Sequence, residues 1–358
     1  LYDRNQGGAV GRHGASVRLT KSDKHNAFEH QIFATVRPLR LRQNLTGYVT
    51  DINAVGEPQR GDGVEQSYDA LTVGGRGSYT LGWDAFGQRQ EAEVGYYARH
   101  DDADSAQRRL RFADGVPYKT DLDNRLRITN VAFYAAARFA PLERLTFRGG
   151  VRLDTFAFAV VDENRPALDR SGARLTRDAV DAYGVSFQPK ISTDVAVTRK
   201  VHWVTSFGYG SRSSDAQALS QGEFAPFARV RALETGVVGS TAGAGGWTSN
   251  ARLVGFTTRV ERDLVFDEIA ARNTFIGASN RFGALGAARF TSPLGFDAQT
   301  SLTYAEAYVP PPGASELDLA AGRRLPYVPR WVGRIDASYR RAVTAFGRVF
   351  RANLAAGF

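Results

Sequence analysis

The chain has no cysteine and no methionine, and only five of its 46 basic residues are lysine. Without cysteine there is no disulfide framework, no thiolate nucleophile and no zinc–thiolate site. Without methionine the 358 residues lack an initiator, and residues 1–10 show no signal peptide. The sequence therefore reads as a fragment or processed segment whose export signal lies elsewhere. Long hydrophobic runs are missing too. The longest, from Val131 to Ala137, is far below the ~20 residues that a spanning helix requires. Mean hydropathy is −0.31 with 43% hydrophobic residues. If the chain lies in a membrane, it does so as a closed strand barrel, which satisfies every backbone group internally.

Catalytic signatures are equally scarce. Gly277, Ser279 and Arg281 open like a nucleophile elbow but end on Arg instead of Gly. Gly208, Gly210 and Ser213 begin like a dinucleotide loop and lack its final Gly. His13, His25, His30, His100 and His202 include no pair at helical metal-ligand spacing, and His202 is expected to face a lumen. Asp101, Asp102 and Asp104 sit at the head of a long polar stretch, but no EF-hand spacing follows, so a solvated acidic loop is expected over a calcium site. No catalytic residue, metal site or cofactor is assigned. Net charge is +9, but arginine is spread along the whole chain without concentrating in a tail. That distribution argues against nucleic-acid binding.

What is present is a two-beat rhythm. Short breaks at 37–39, 82–87, 140–143, 199–200, 239–246, 291–294 and 341–345 alternate with long polar stretches. The long ones are 51–64, 100–124, 161–184, 211–228 and 310–327, with modest ones at 22–27 and 267–273. Outer-membrane barrels sort their connections this way, with tight periplasmic turns and long extracellular loops. Between breaks the period is two. Leu145, Phe147, Val151 and Leu153 oppose Thr146, Arg148, Arg152 and Asp154; Val201, Trp203, Thr205, Phe207 and Tyr209 oppose His202, Ser206, Gly208 and Arg212. Roughly fifteen strands are expected, many longer than the usual ~5–6 residues. Residues 253–265 alternate poorly. Trp83, Trp203 and Trp247 lie in or just after short breaks and Trp331 follows a long one, which suits interfacial girdles as well as ordinary packing. No composition shift divides the chain, so 1–358 is read as a single β-barrel segment.

Several stretches resemble a known family. Ser206 to Ala216 (SFGYGSRSSDA), then Leu219, Ser220 and Glu223, is similar to the "YGxGFRSPDA…LS.GE" stretch of TonB-dependent outer-membrane receptors. Arg212, Asp215 and Ala216 keep the pattern, while Ser211 and Ser214 replace its Phe and Pro. Gly150 to Asp154 resembles a "GlRyD" strand, and Glu234 to Gly236 a "yEvG" strand. Phe256 to Val260 with Asp263 to Asp267 resembles a hairpin of these barrels. Asn273 with Gly277 to Gly283, and Val328, Pro329 with Ile335 to Tyr339, resemble the strands after it. The resemblance covers about 121–358. It implies a partial barrel: about fifteen strands of a plugged barrel of ~22 strands, with the plug, the TonB box and both ends missing here.

The function so implied is energy-coupled uptake of a scarce nutrient, such as a ferric siderophore, not an enzymatic one. The partners would be TonB, outer-membrane lipid with lipopolysaccharide, and a small chelate, in the outer membrane of a Gram-negative cell. A passive porin-like channel is the alternative, and a barrel hydrolase the third. The candidate ligand set is Arg148, Arg152, Arg212, Asp215, Phe224 and Phe227. Inward arginines would attract anionic groups in a reduced dielectric, or instead pair with lumen acids such as Asp154. Phe224 and Phe227, near Pro226, would clasp a ligand or pack against neighbouring loops.

Overall fold

A computed structural model describes residues 3–49, 61–164, 179–213, 227–243, 245–267, 272–315, 318–326, 328–345 and 348–357. They form β1 (Gly7–Val10), β2 (His13–Ser22), β3 (Asn26–Asn44), β4 (Gly63–Ala85), β5 (Gln88–Leu110), β6 (Pro117–Leu142), β7 (Leu145–Asp162) and β8 (Ala179–Ala196). These are followed by β9 (Val201–Ser213), β10 (Phe227–Ala242), β11 (Thr248–Asp267), β12 (Arg272–Thr291), β13 (Phe296–Val309), β14 (Arg323–Arg324), β15 (Trp331–Ala345) and β16 (Arg348–Gly357). All pairings are antiparallel, in one 16-stranded meander. β1 and β2 share one edge of β3, and β14 and β15 share one edge of β13. Among the described residues β1 and β2 do not pair with β16, so the sheet is an open piece of barrel wall.

Period-two alternation gives each strand an apolar and a polar face. The apolar one is left to the surroundings: Leu253 is 64% exposed, Phe133 63% and Ile335 59%. Leu71, Val73, Tyr79, Leu81, Val151, Leu153, Phe187 and Leu302 are exposed with them. In β6 this face runs from Phe139 to Val131 before Arg127 and Arg125 replace the apolar residues. At ~3.3 Å per residue and a tilt near 40° that gives a band of about 20–25 Å, the height of a membrane barrel's apolar belt. Trp83, Trp203 and Trp247 ring its short-turn margin, and Trp247 lies 5.0 Å from the Phe290 ring. Trp331 marks the other margin, 4.8 Å from the Tyr304 ring.

Two glycines are required by close approach. A Cβ on Gly95 would meet the Tyr134 ring at 2.5 Å and the Gly77 carbonyl oxygen at 2.6 Å. A Cβ on Gly77 would meet His30 at 2.6 Å and Tyr96 at 2.7 Å. These rings lie over the bare backbone and fill the space where side chains are missing. The glycine-rich stretch of β4 is thus packed sheet.

Four sequence expectations change, the first being the break at 341–345, which is strand because β15 runs to Ala345 and pairs β16. Residues 37–39 are not a break: Pro38 lies inside β3, paired with Asp69. The turn at 23–25 therefore belongs to the short-turn side, as 86–87 does. Most of 100–124 is strand, because β5 runs to Leu110 and β6 starts at Pro117. Asp101 consequently faces away from Asp102 and Asp104, so the three cannot converge on one cation.

Candidate functional site on the inner wall

The polar face is the concave one. A cavity of about 720 Å³ is lined by Thr80 of β4, Glu93 of β5, Arg148 of β7, Lys190 of β8, Gly208 of β9 and Glu234 of β10. Strands six places apart in the meander share it, so the sheet curls around this face. Phe156 of β7 and Phe227 of β10 also meet across the curl, with ring centroids 5.5 Å apart.

Inner side chains of β7 step from the short turn to the long loop as Arg148, Gly150, Arg152, Asp154, Phe156, Phe158 and Val160. They define three layers. In the lowest, Arg148 and Lys190 line the cavity, and neither has an acidic partner among the described residues. Glu91 and Glu234 line it as well. Glu93 accepts the Tyr134 hydroxyl at 2.7 Å, and Arg138 donates to the Arg89 carbonyl. In the middle layer Arg152 holds Asp154 at 2.6 Å while standing 5.6 Å from the Tyr97 ring centre. Asn130 and Gln188 also donate to Asp154, at 3.1 and 3.0 Å. The upper layer is apolar: Leu126, Phe158, Val160, Ala70, Ala103 and Ala182 are buried together, with Tyr68, Ile128 and Phe156 against them.

Toward the long loops a different pattern repeats. Five largely buried carboxylates each hold two cations: Glu65 holds Arg42 and Arg108, Asp101 holds Arg37 and Arg99, and Asp121 holds Arg109 and Lys119. Asp263 holds Arg212 and Arg281, and Glu306 holds Arg324 and Arg330; of these carboxylates, Glu65 and Glu306 have the outward parity of the exposed Leu71 and Leu302. A carboxylate in a dry site needs paired donors to offset lost hydration, and the second cation leaves each group with net positive charge. Asp263 is fully buried, 2.8 Å from Arg212 Nη1, and accepts the Leu264 amide at 2.9 Å and the Ser279 hydroxyl. A bulge at 261–262 brings it to this face: Val260 pairs Ser279, but Asp263 pairs Gly277. The extra residue reverses the strand's phase, which explains the poor alternation of this stretch.

The wall thus brings Arg148, Arg152 and Phe227 to one concave face and sets Arg212 nearer the long-loop end. Arg152 and Arg212 are neutralised by Asp154 and Asp263; Arg148 is not. Asp215 and Phe224 lie outside the described residues. Sequence reasoning passed over Lys190, although Gln188, Lys190, Ser192 and Asp194 alternate with Phe187, Pro189 and Ile191. Among the described residues no cluster of three His, Asp or Glu side chains could hold a metal ion.

Comparison with solved structures places this wall. The siderophore receptor PiuA from Acinetobacter baumannii matches over 94% of the chain and 53% of its own length, at 13% identity and a TM-score of 0.69. The ferric yersiniabactin uptake receptor FyuA from Yersinia pestis matches over 98% and 50%, at 12% identity and 0.67. The copper transporter OprC matches over 94% and 51%, at 16% identity and 0.64. The chain spans about half the length of these proteins, and at such identity the likeness shows the fold alone. No curated protein sequence matches it. The family profile described as "TonB dependent receptor-like, beta-barrel" matches residues 2–357. With strands, belt and girdle in place over nearly the whole chain, the chain belongs to the TonB-dependent receptor family, as barrel wall.

Proposed function

We propose that this wall belongs to an outer-membrane receptor that captures an anionic metal chelate, of the ferric siderophore class, and imports it by coupling to TonB. The observation that carries the reading is the open pair Arg148 and Lys190 in the inner cavity, below a rim of doubly bound carboxylates. The rim draws anions toward the mouth through its net positive field. Inside, the two open cations supply charge where the curled sheet lowers the local dielectric. Phe156 and Phe227, partly exposed beside the buried apolar layer, offer apolar contact to the organic part of a chelate. Relatives named as siderophore and copper transporters support metal cargo. Coupling to TonB is a family property carried over to this chain.

The test uses the full-length parent protein in its own outer membrane. Cells expressing it are expected to accumulate radiolabelled iron from an anionic ferric chelate, with loss of uptake on collapse of the proton gradient. Single-channel conductance in a planar bilayer should be near zero. Gradient-independent uptake with a large steady conductance would instead identify a passive pore.

A further inference from the structure

The inner cavity holds two carboxylates that capture of an anion does not use. One register row crosses six strands of the concave face: Glu91 pairs Arg138, Arg138 pairs Arg148, Arg148 pairs Ser192, Ser192 pairs Ser206 and Ser206 pairs Glu234. All six line the cavity of about 720 Å³, and none is buried. The row therefore reads acid, base, base, hydroxyl, hydroxyl, acid. At ~4.8 Å per strand, Glu91 stands about 10 Å from Arg148 along the wall, and Glu234 about 14 Å from it on the other side. The next row toward the long loops leaves the space open. On β6 to β10 it passes through Ala136, Gly150, Gly208 and Ala232, and Lys190 is its one long side chain.

The charges of this row are separated, not paired. Arg138 donates to the Arg89 carbonyl and leaves Glu91, directly opposite it, without a cation. Among the described residues Glu91 and Glu234 have no ion pair and no side-chain hydrogen bond, and neither have Arg148 and Lys190. The contrast with the rim is sharp, since Asp101 and Asp263 there hold two cations each. Two open acids thus flank two open bases in one cavity. A purely anionic guest gains contacts at Arg148 and Lys190, but the flanking carboxylates repel it, and such like-charge encounters set specificity. A guest that carries both signs meets a partner at each open group.

We infer that the cavity takes a zwitterionic chelate, with metal-binding carboxylates held by Arg148 and Lys190 and an ammonium arm held by Glu91 or Glu234. The head would make charge-assisted hydrogen bonds to the two cations, bidentate at the guanidinium, and the ammonium would donate to a carboxylate. The same acids would disfavour chelates whose periphery is anionic throughout. The inference rests on the uptake reading proposed above and narrows its ligand class.

The test uses the full-length parent protein purified in detergent, with affinities read by isothermal titration calorimetry. One probe is the gallium(III) complex of Nα,Nα-bis(carboxymethyl)lysine, a nitrilotriacetate head with a free ammonium arm. The other is its ε-N-acetyl form, which differs by that one charge. The ammonium form should bind the parent roughly tenfold more tightly, the scale of one charge-assisted contact. Glu91→Gln with Glu234→Gln should bring the two forms to equal affinity, and retained binding of the acetylated form shows that the variant is folded. Equal binding of both forms by the parent, or binding of neither, would overturn the inference without needing any variant. So would a preference that survives in the double variant, because the ammonium would then be recognised elsewhere. Uptake of the radiolabelled iron complexes by energised cells is read separately: its absence with the ammonium preference intact would sink only the transport reading.

Discussion

Replacement of Asp263 tests whether doubly bound carboxylates hold the long-loop end together. The side chain is fully buried and bound by Arg212, Arg281, Ser279 and the Leu264 amide. At an effective dielectric constant near 20, each contact at about 3 Å is worth roughly 5 kcal/mol of Coulomb attraction before desolvation. Loss of one partner of a buried pair costs ~3–5 kcal/mol. The two guanidiniums are 43% and 41% exposed, so water recovers part of this. Asp263→Ala is therefore expected to cost about 3 kcal/mol and Asp263→Asn about 2 kcal/mol, because Asn still accepts the Leu264 amide. Arg212→Gln combined with Asp263→Asn should cost less than the sum of the two, since it also removes one of the stranded like charges. Urea unfolding of the lipid-reconstituted parent protein, followed by tryptophan fluorescence, supplies the values. If both single variants fall within about 1 kcal/mol of the parent, or the pair is strictly additive, the carboxylate is not the keystone argued here. The same Asp263→Ala change adds one positive charge to the rim, so anionic chelates should associate faster even as stability drops.

Three further outcomes follow from the same geometry. Gly95→Ala should cost about 2–3 kcal/mol, and Tyr134→Ala should not rescue it, because the Gly77 carbonyl oxygen also blocks the new Cβ. At Gly77→Ala the nearest atoms to the new Cβ belong to the His30 and Tyr96 side chains, at 2.6 and 2.7 Å, so His30→Ala together with Tyr96→Ala should recover part of the loss of Gly77→Ala in the same unfolding assay. Arg148→Gln and Lys190→Gln should weaken chelate binding while leaving stability within about 0.5 kcal/mol; Arg152→Gln strips Asp154 of its cation and should cost about 1–2 kcal/mol. In the short turn before β3, the His25 amide bonds Asp23 at 2.8 Å and the Asn26 amide bonds it at 2.7 Å, and these hold its carboxyl below the usual value of 3.8. A depressed folded value means the turn's support is complete above the unfolded value and fades as pH falls through the folded one. Amide exchange at His25 and Asn26 should thus quicken below about pH 4 in the parent and be independent of that titration in Asp23→Ala.

Most of the wall was legible because lipid and water impose opposite demands on alternate residues. Phe133, Leu153 and Leu253 announce the belt wherever the strand lies in the bilayer. Beyond it both faces are wet, and apolar alternation disappears. Asp101, Asp102 and Asp121 therefore read as loop, although ion pairs such as Arg127 with Asp102 and Arg109 with Asp121 knit β5 to β6 there. Pro38 read as a break because proline removes a ladder donor. Its carbonyl accepts the Gly11 amide, so the missing N–H faces the gap where β1 gives way to β2, and no ladder bond is lost. Asp263 was hidden for a third reason: a one-residue bulge reverses the parity on which its assignment to a face depends.

Composition gave a net charge of +9 with no sign of where it acts. The wall sorts its cations by height. Near the long loops they come two to a carboxylate, which fixes side chains in place and still leaves a positive field at the mouth. In the middle Arg152 is matched to Asp154 and stacked near Tyr97, so it stiffens the wall without adding charge. Below, Arg148 and Lys190 line open space. On the reading proposed above, an anion drawn to the rim would meet donors already engaged there, while Arg148 and Lys190, without an acidic partner among the described residues, lie deeper along the wall. Attraction at the entrance with open donors further in would direct a charged ligand inward, as the proposed function requires.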